Sequence, residues 1–273
     1  MNTSMITATN TLSQLQKQLD IISNNLANLD TTGFKSKQAT FTDLLVQNVN
    51  NQPDAGKETG RLTPKGIRQG TGARLNQSQM NMTQGSFKPT DRDLDTAFQK
   101  EGQFYKVLVQ KDNTSSIQYT RNGALALAPV AANETMLVTS EGYPILDDNN
   151  NPIIITGDAQ KFDITANGVM NVTMTDGTMQ SFNLGVVQIN KPQFFEQKGG
   201  SLIGLPDNVQ VPNGVLTELP REQIAIGQRM LEQSNVDMSK EMTDMLGVQR
   251  AYQFQSRAVT MADQMMGLIN GIR

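Results

Sequence analysis

Near the N-terminus, apolar residues step by alternating threes and fours: Met5, Ala8, Leu12, Leu15, Leu19, Ile22, Leu26 and Leu29. That spacing is an unbroken heptad seam and predicts a helix from about Ser4 to about Asp30, about 40 Å long at 1.5 Å per residue. Near the other end, Met238, Met245, Tyr252, Val259 and Met266 recur every seven residues, flanked by Met242, Val248, Ala258, Ala262, Met265 and Ile269. They predict a second long helix, with Asp237 at its N-cap and an end near Ile269. A narrow stripe on a helix needs a partner surface, so these ends are expected to act through what they pack against.

Between the ends the period shifts towards two. Strands are expected at Phe104–Val109, Ile117–Arg121, Met136–Thr139, Tyr143–Leu146, Ile153–Ile155, Phe162–Ile164, Met170–Met174 and Gly185–Ile189. Lys111-Asp112-Asn113, Asn122-Gly123, Asn167-Gly168 and Asp176-Gly177 supply turn chemistry between them. Phe34–Leu75 has one apolar cluster, Phe41-Leu44-Leu45-Val46, and otherwise reads as an extended connector punctuated by Gly and Pro. The expected fold class is therefore α+β, with paired, coiled-coil-like terminal helices around a central, mainly antiparallel β domain. The expected segments are an axial helix over 1–33, a connector over 34–75, a β-rich domain over 76–235 and a second axial helix over 236–273 packing with the first.

Composition narrows the chemistry. The 273 residues contain no Cys, His or Trp, which removes thiolate chemistry, disulfides and the commonest general base and metal ligand. No cofactor and no metal is expected. The net charge of −3 speaks against bulk nucleic-acid binding. Charge is unevenly placed: Lys35–Leu75 holds seven basic and three acidic residues, whereas Asn76–Asn235 holds eleven basic and seventeen acidic. The basic stretch reads either as a solvated linker or as a contact surface for an acidic neighbour. No segment has the run of about 18 apolar residues that a transmembrane helix needs, so membrane insertion is not expected. The N-terminus also lacks the form of a cleavable signal peptide.

The termini carry further patterns. Ser23-Asn24-Asn25-Leu26-Ala27-Asn28-Leu29-Asp30-Thr31-Thr32-Gly33-Phe34-Lys35 resembles the N-terminal signature of bacterial flagellar rod and hook proteins. Ser234-Asn235-Val236-Asp237, Glu241-Met242, Gln249-Arg250-Ala251-Tyr252 and Ala262-Asp263-Gln264-Met265 are similar to their C-terminal signature. In the middle, Gln84-Gly85-Ser86-Phe87, Leu94-Asp95-Thr96-Ala97, Gly102-Gln103-Phe104-Tyr105 and Tyr119-Thr120-Arg121-Asn122-Gly123 resemble the family's β-domain motifs. The run Leu62-Thr63-Pro64-Lys65-Gly66-Ile67-Arg68-Gln69-Gly70-Thr71-Gly72 looks most like the distal-rod branch. Phe98-Gln99-Lys100-Glu101 departs from the pattern, standing where the family usually has a small apolar residue and a glycine.

The resemblance implies a structural subunit of the flagellar rod, self-assembling into a helical tube that transmits torque from motor to hook. It implies export through the flagellar type III apparatus without signal cleavage, and a place in the basal body outside the cytoplasmic membrane. Its partners would be copies of itself, neighbouring rod and hook proteins, and the export apparatus. The expected assembly residues are Leu12, Leu15, Leu19, Ile22, Leu26, Leu29, Met238, Met242, Met245, Tyr252, Val259 and Met266. The motif residues are Asn24, Asn25, Asn28, Gly33, Phe34, Asn235, Asp237, Gln249 and Arg250. In plain physical terms, the three asparagines can hydrogen-bond between helices or to connector backbone, Gly33 can take the left-handed cap conformation, and Phe34 can pack back on Leu26 or Leu29. Taken alone, these residues are an ordinary helix stop. Gln249, Ser256 and Asp263, spaced by sevens, are polar notches that fit a packed array with polar contacts or a wet channel beside it.

Three other readings remain at the level of sequence. A hook or proximal-rod subunit has the same signatures. A carboxylate-dependent hydrolase would use Asp91, Asp93 and Asp95 or the loop Asp147-Asp148-Asn149-Asn150-Asn151. A self-contained coiled-coil adhesin would use the N-terminal seam alone and leaves the C-terminal seam without a purpose.

Overall fold

The computed structural model describes residues 2–43, 46–49, 67–70, 72–111, 114–206, 212 and 214–271. The fold is α+β, and the α-helices among the described residues are the two terminal ones: α1 (Asn2–Ala27) and α2 (Met238–Gly271). The chain divides into two compact units. Residues 1–24, 37–79 and 238–273 form one, and residues 25–36 and 80–237 form the other.

In the helical unit, α1 has two covered sides. Ala8 and Ile22 are buried, and Met5, Leu12, Leu15 and Leu19 are half-buried along the expected seam. About a quarter-turn away, Thr7, Thr11, Gln14 and Gln18 are also half-buried. The backbone explains them: the Leu75 amide donates to Gln14 Oε1 at 2.9 Å, and Gly72 lies against the Thr7 carbonyl. The uncharged Thr/Gln side of α1 therefore faces a strand rather than water. That strand, Ala73–Met80, pairs with Lys37–Asp43, and Val46–Val49 pairs antiparallel with Ile67–Gly70. The expected connector is thus extended but built of paired strands where it is described. Its residues 50–66, with Leu44 and Leu45 of the apolar cluster, lie outside the described residues.

Two expectations about α1 need correction. The helix ends at Ala27, so Leu29 lies beyond it, although it is half-buried. The chain tightens instead into turns in which Asn28, Leu29 and Thr31 amides donate three residues back, to Asn25, Leu26 and Asn28 carbonyls. Gly33 does adopt a positive φ of 71°, but six residues past the helix end, where it does not cap the helix.

The β unit is built on a six-stranded antiparallel sheet. Its order is Glu196–Gly199, Leu202–Gly204, Thr114–Thr120, Gln103–Lys111, Val186–Ile189 and Leu216–Glu218. Alternation along the strands fills two cores. Tyr105, Val107, Val186 and Leu202 point into the larger, with Leu125, Leu137, Ile145, Ile155, Met170 and Val172. Phe104, Tyr119, Val187 and Ile203 point into the smaller, with Met80, Phe195 and Val215. Two three-stranded antiparallel sheets complete the larger core: Leu125–Ala131, Glu134–Thr139 and Ile154–Thr156, and Ala159–Ile164, Val169–Met174 and Met179–Asn183. The Asn167-Gly168 and Asp176-Gly177 turns join the strands of the latter sheet, as their chemistry predicts. Tyr143–Leu146 is not a full strand and takes part only through isolated bridges at Pro144, Ile145 and Leu146. Asp112 and Asn113 of the expected turn lie outside the described residues.

Candidate assembly interface

Two features concentrate the residues singled out by sequence: a buried polar knot in the β unit and an open apolar face on α2. The knot begins with the short antiparallel pair Met230–Glu232 and Phe87–Pro89. It places Glu232, at 1% exposure, between two cations. Lys35 Nζ donates to Glu232 Oε1 at 2.8 Å, and Arg121 Nε donates to Oε2. The Gly85 amide donates to Oε1 at 2.9 Å. Lys35 Nζ also reaches the Thr83 carbonyl at 2.7 Å. Arg121 is fully buried, with its remaining nitrogens on the carbonyls of Gln103, Lys100 and Phe98. Its guanidinium lies 5.7 Å from the Phe98 ring centroid and 5.8 Å from that of Phe104.

Burial disfavours an isolated charge, and this set compensates by satisfying nearly every donor. Desolvation still pushes the Lys35 ammonium below its ordinary value; the Arg121 guanidinium adds to that, and Glu232 opposes it. Within residues 98–101 it is the backbone carbonyls of Phe98 and Lys100 that accept hydrogen bonds from Arg121. Gln99, Lys100 and Glu101 are exposed, so these three side chains can differ from the family pattern while the same backbone carbonyls hold Arg121, whereas the Phe98 ring is buried against the guanidinium.

Asn235 ties the same region from the other side. Its Oδ1 accepts from the Ser36 amide at 2.7 Å, and its Nδ2 donates to the carbonyls of Asn81 and Thr83, each at 2.9 Å. The Gly33 amide donates to the Glu232 carbonyl at 2.9 Å, and a Cβ at Gly33 would come within 2.5 Å of the Arg121 carbonyl carbon. Gly33, Phe34, Lys35 and Ser36 are all buried. Asn25 is buried at 1%, Asn28 is half-buried and accepts from the Thr31 hydroxyl, and Asn24 is exposed. The predicted motif residues Gly33, Phe34 and Asn235 therefore meet in one place. Sequence reasoning missed Glu232 and gave no role to Lys35 or Arg121. A lone acid inside the strand Met-Leu-Glu was the available signal.

The second feature is that the expected α2 stripe is covered only in part within the single chain. Val248 and Ala262 are buried, and Met245, Val259 and Met266 are half-buried. Met238 and Tyr252 of the predicted stripe are exposed, as are Met242, Gln249 and Arg250. On the side roughly opposite the covered residues stand Met242, Leu246, Phe254, Met261, Met265 and Leu268, with Phe254 at 70% and Leu268 at 68% exposure. Four of these six lay outside the predicted stripe and its flanks. So many large apolar side chains in water on one helix face mark an interaction surface. Asp237 immediately precedes the helix, and Gln249, Ser256 and Asp263 are exposed.

The acidic side chains are taken up in ion pairs and in a loop turn. Asp93 pairs with Arg229, Asp148 with Arg221 and Asp95 with Arg92. Asp147 caps its own loop by accepting from the Asn151 amide. Among the described residues no group of three or more carboxylates is placed to hold a metal ion. None of the described helices is long and apolar enough to cross a membrane.

Comparisons with known proteins converge on one family. A profile described as flagella basal body rod protein matches residues 5–35, one described as flagellar hook protein FlgE/F/G D1 domain matches 101–172, and one described as flagellar basal body rod FlgEFG protein C-terminal matches 228–272. The chain is 43% identical over 275 residues to the flagellar hook-basal body complex protein FlhP of Bacillus subtilis, covering 99% of both. It is 32% identical over 257 residues to the flagellar basal-body rod protein FlgG of Buchnera aphidicola subsp. Acyrthosiphon pisum, covering 92% of both. To the FlgG protein of Borreliella burgdorferi it is 31% identical over 274 residues, covering 98% of this chain and 97% of that one.

Proposed function

Because the chain belongs to the family of flagellar basal-body rod and hook proteins, we infer that it is a structural subunit of the flagellar rod in the basal body, not an enzyme. Copies assemble through their terminal helices into a helical tube, in contact with neighbouring rod and hook proteins. The tube transmits torque from motor to hook. The subunit reaches its site through the type III export apparatus without losing a signal peptide. α1 and α2 pair along their covered seams in this assembly, as the four segments 1–33, 34–75, 76–235 and 236–273 require.

The observation that carries this reading is the open apolar face of α2. A helix with one side covered and large side chains exposed on the other has further area to bury, at about 25 cal/mol per Å². Deleting residues 1–29 or 236–273 tests it. Both deletions should abolish flagellar assembly, and normal motility in both would defeat the reading.

Identity is higher to the protein named for the hook-basal body complex than to those named for the rod. That observation favours a second reading, a hook subunit of the same family. Imaging basal bodies from a strain lacking this chain separates the two. Growth that stops before the rod is complete places it in the rod, and a complete rod without a hook places it later.

A further inference from the structure

Met261 and Met265 stand near the middle of the open face of α2, one helical turn apart, at 56% and 50% exposure. Leu268 lies seven residues beyond Met261 and three beyond Met265, so the three side chains share one patch. The neighbouring Met266 is turned by about 100° from Met265 and is half-buried on the covered side. Met170 and Met174 of the β unit are packed away, at 0% and 3% exposure. The chain has no cysteine to take an oxidant first, so exposed thioethers are its most oxidisable groups.

Hydrogen peroxide gives one oxygen atom to such a thioether. The O–O bond breaks, the S–O bond forms, sulfur loses two electrons and water leaves. The product is a polar sulfoxide whose oxygen needs a hydrogen-bond donor when buried. Within a turn of Met265 on either side stand Met261, Ala262, Leu268 and Ile269, and none of these side chains donates a hydrogen bond. The exposed Arg257 lies four residues before Met261 and can reach it, but it is about 12 Å along the helix from Met265. A sulfoxide at Met265 is therefore satisfied in water and orphaned once the face is covered.

We propose that Met261 and Met265 form a methionine-oxidation site at which hydrogen peroxide bars the unassembled subunit from the polymer. The inference rests on the proposed self-assembly, which covers the open face and shields both sulfurs in the finished structure. Reduction by a thiol-dependent methionine sulfoxide reductase restores the subunit; its thiols supply two electrons and two protons, and the oxygen leaves as water.

The first test is peroxide treatment of the purified full chain, with oxidation at each methionine followed by peptide mass spectrometry. Met179, at 67% exposure, and Met170 are the fast and slow standards. Met261 and Met265 should oxidise several-fold faster than Met245 and Met266 of the same helix. Equal rates along α2 overturn the proposal. The second test counts flagella in cells lacking those reductases, after a sublethal peroxide pulse given while basal bodies form. New flagella should fall several-fold further with the natural chain than with M261L/M265L, which keeps apolar volume at both positions. Equal losses overturn the proposal. M261Q/M265Q places an amide oxygen on the face without peroxide and is independent of how the leucine variant behaves. It should build several-fold fewer flagella while the isolated chain unfolds at the natural midpoint. If it builds normal flagella while deletion of 236–273 blocks assembly, the oxidation site is wrong and self-assembly stands. If that deletion assembles normally, the functional reading itself fails.

Discussion

Glu232 accepts a hydrogen bond from Lys35 at 2.8 Å across 197 residues of chain, deep inside the β unit. The contact joins the segment that follows α1 to the segment that leads into α2, and Arg121 closes it from a third direction. Removing the carboxylate leaves two buried cations and the Gly85 amide without their shared acceptor. Glu232→Ala should therefore cost about 3–5 kcal/mol. The measurement is urea denaturation of the purified subunit, followed by a signal from the β unit. A loss below about 1 kcal/mol, the range of an exposed pair, would show that the knot is not what holds these segments.

Gly33 and Gly142 separate two reasons for needing glycine. Both have positive φ, 71° and 87°. A Cβ at Gly142 meets nothing within 4 Å, whereas at Gly33 it would lie 2.5 Å from the Arg121 carbonyl carbon. Gly142→Ala should cost about 1–2 kcal/mol, the left-handed penalty alone. Gly33→Ala adds a backbone clash beside the buried guanidinium and should cost clearly more. Equal midpoints for the two variants in denaturation would remove the close approach as the reason for Gly33.

The contrast between α1 and the knot shows what was legible in the sequence and why. The α1 seam, the strands from Gln103 to Ile189 and the Asn167-Gly168 turn follow from local periodicity and turn chemistry, which neighbouring residues encode. Glu232, Lys35 and Arg121 could not be read together, because their association depends on three distant segments converging. On α2 the heptad pattern identified a helix, and the chain itself covers only part of the stripe, Met245, Val259 and Met266. Phe254, Met261 and Leu268 also recur every seven residues, so two seams share one helix, and periodicity alone does not say which one the chain covers itself.

Lys35 also gives a pH signature. Its folded-state pKa lies below the ordinary 10.5 because burial and Arg121 disfavour the ammonium. Between that lowered value and 10.5 the unfolded chain binds the proton more readily than the folded one. This group therefore makes stability rise with pH across that window, and its contribution is lost as pH falls through the lowered value. Tyr105 and Tyr119, raised by burial, act in the opposite sense at alkaline pH. The reading is thus the difference between the natural chain and Lys35→Met. Denaturation midpoints measured up to pH 10.5 should show the natural chain gaining on the variant as pH rises. A difference that stays flat or shrinks would mean that Lys35 is not perturbed as the knot requires.

The two sides of α2 predict opposite phenotypes for the same chemical change. Phe254 and Leu268 are largely in water, so F254E/L268E should leave the unfolding midpoint of the isolated subunit within about 0.5 kcal/mol per substitution. In cells the same variant should lose motility, because two carboxylates would have to be desolvated in any helix packing that uses this face. Val248 is 7% exposed on the covered side. Val248→Glu should instead destabilise the isolated subunit by several kcal/mol, since it places a carboxylate where an apolar side chain is packed. Circular dichroism at the helical signal, with swimming assays on matched strains, reads both. Normal swimming of F254E/L268E at normal expression would show that the exposed side of α2 stays in water after assembly, and the observation carrying the proposed function would be lost.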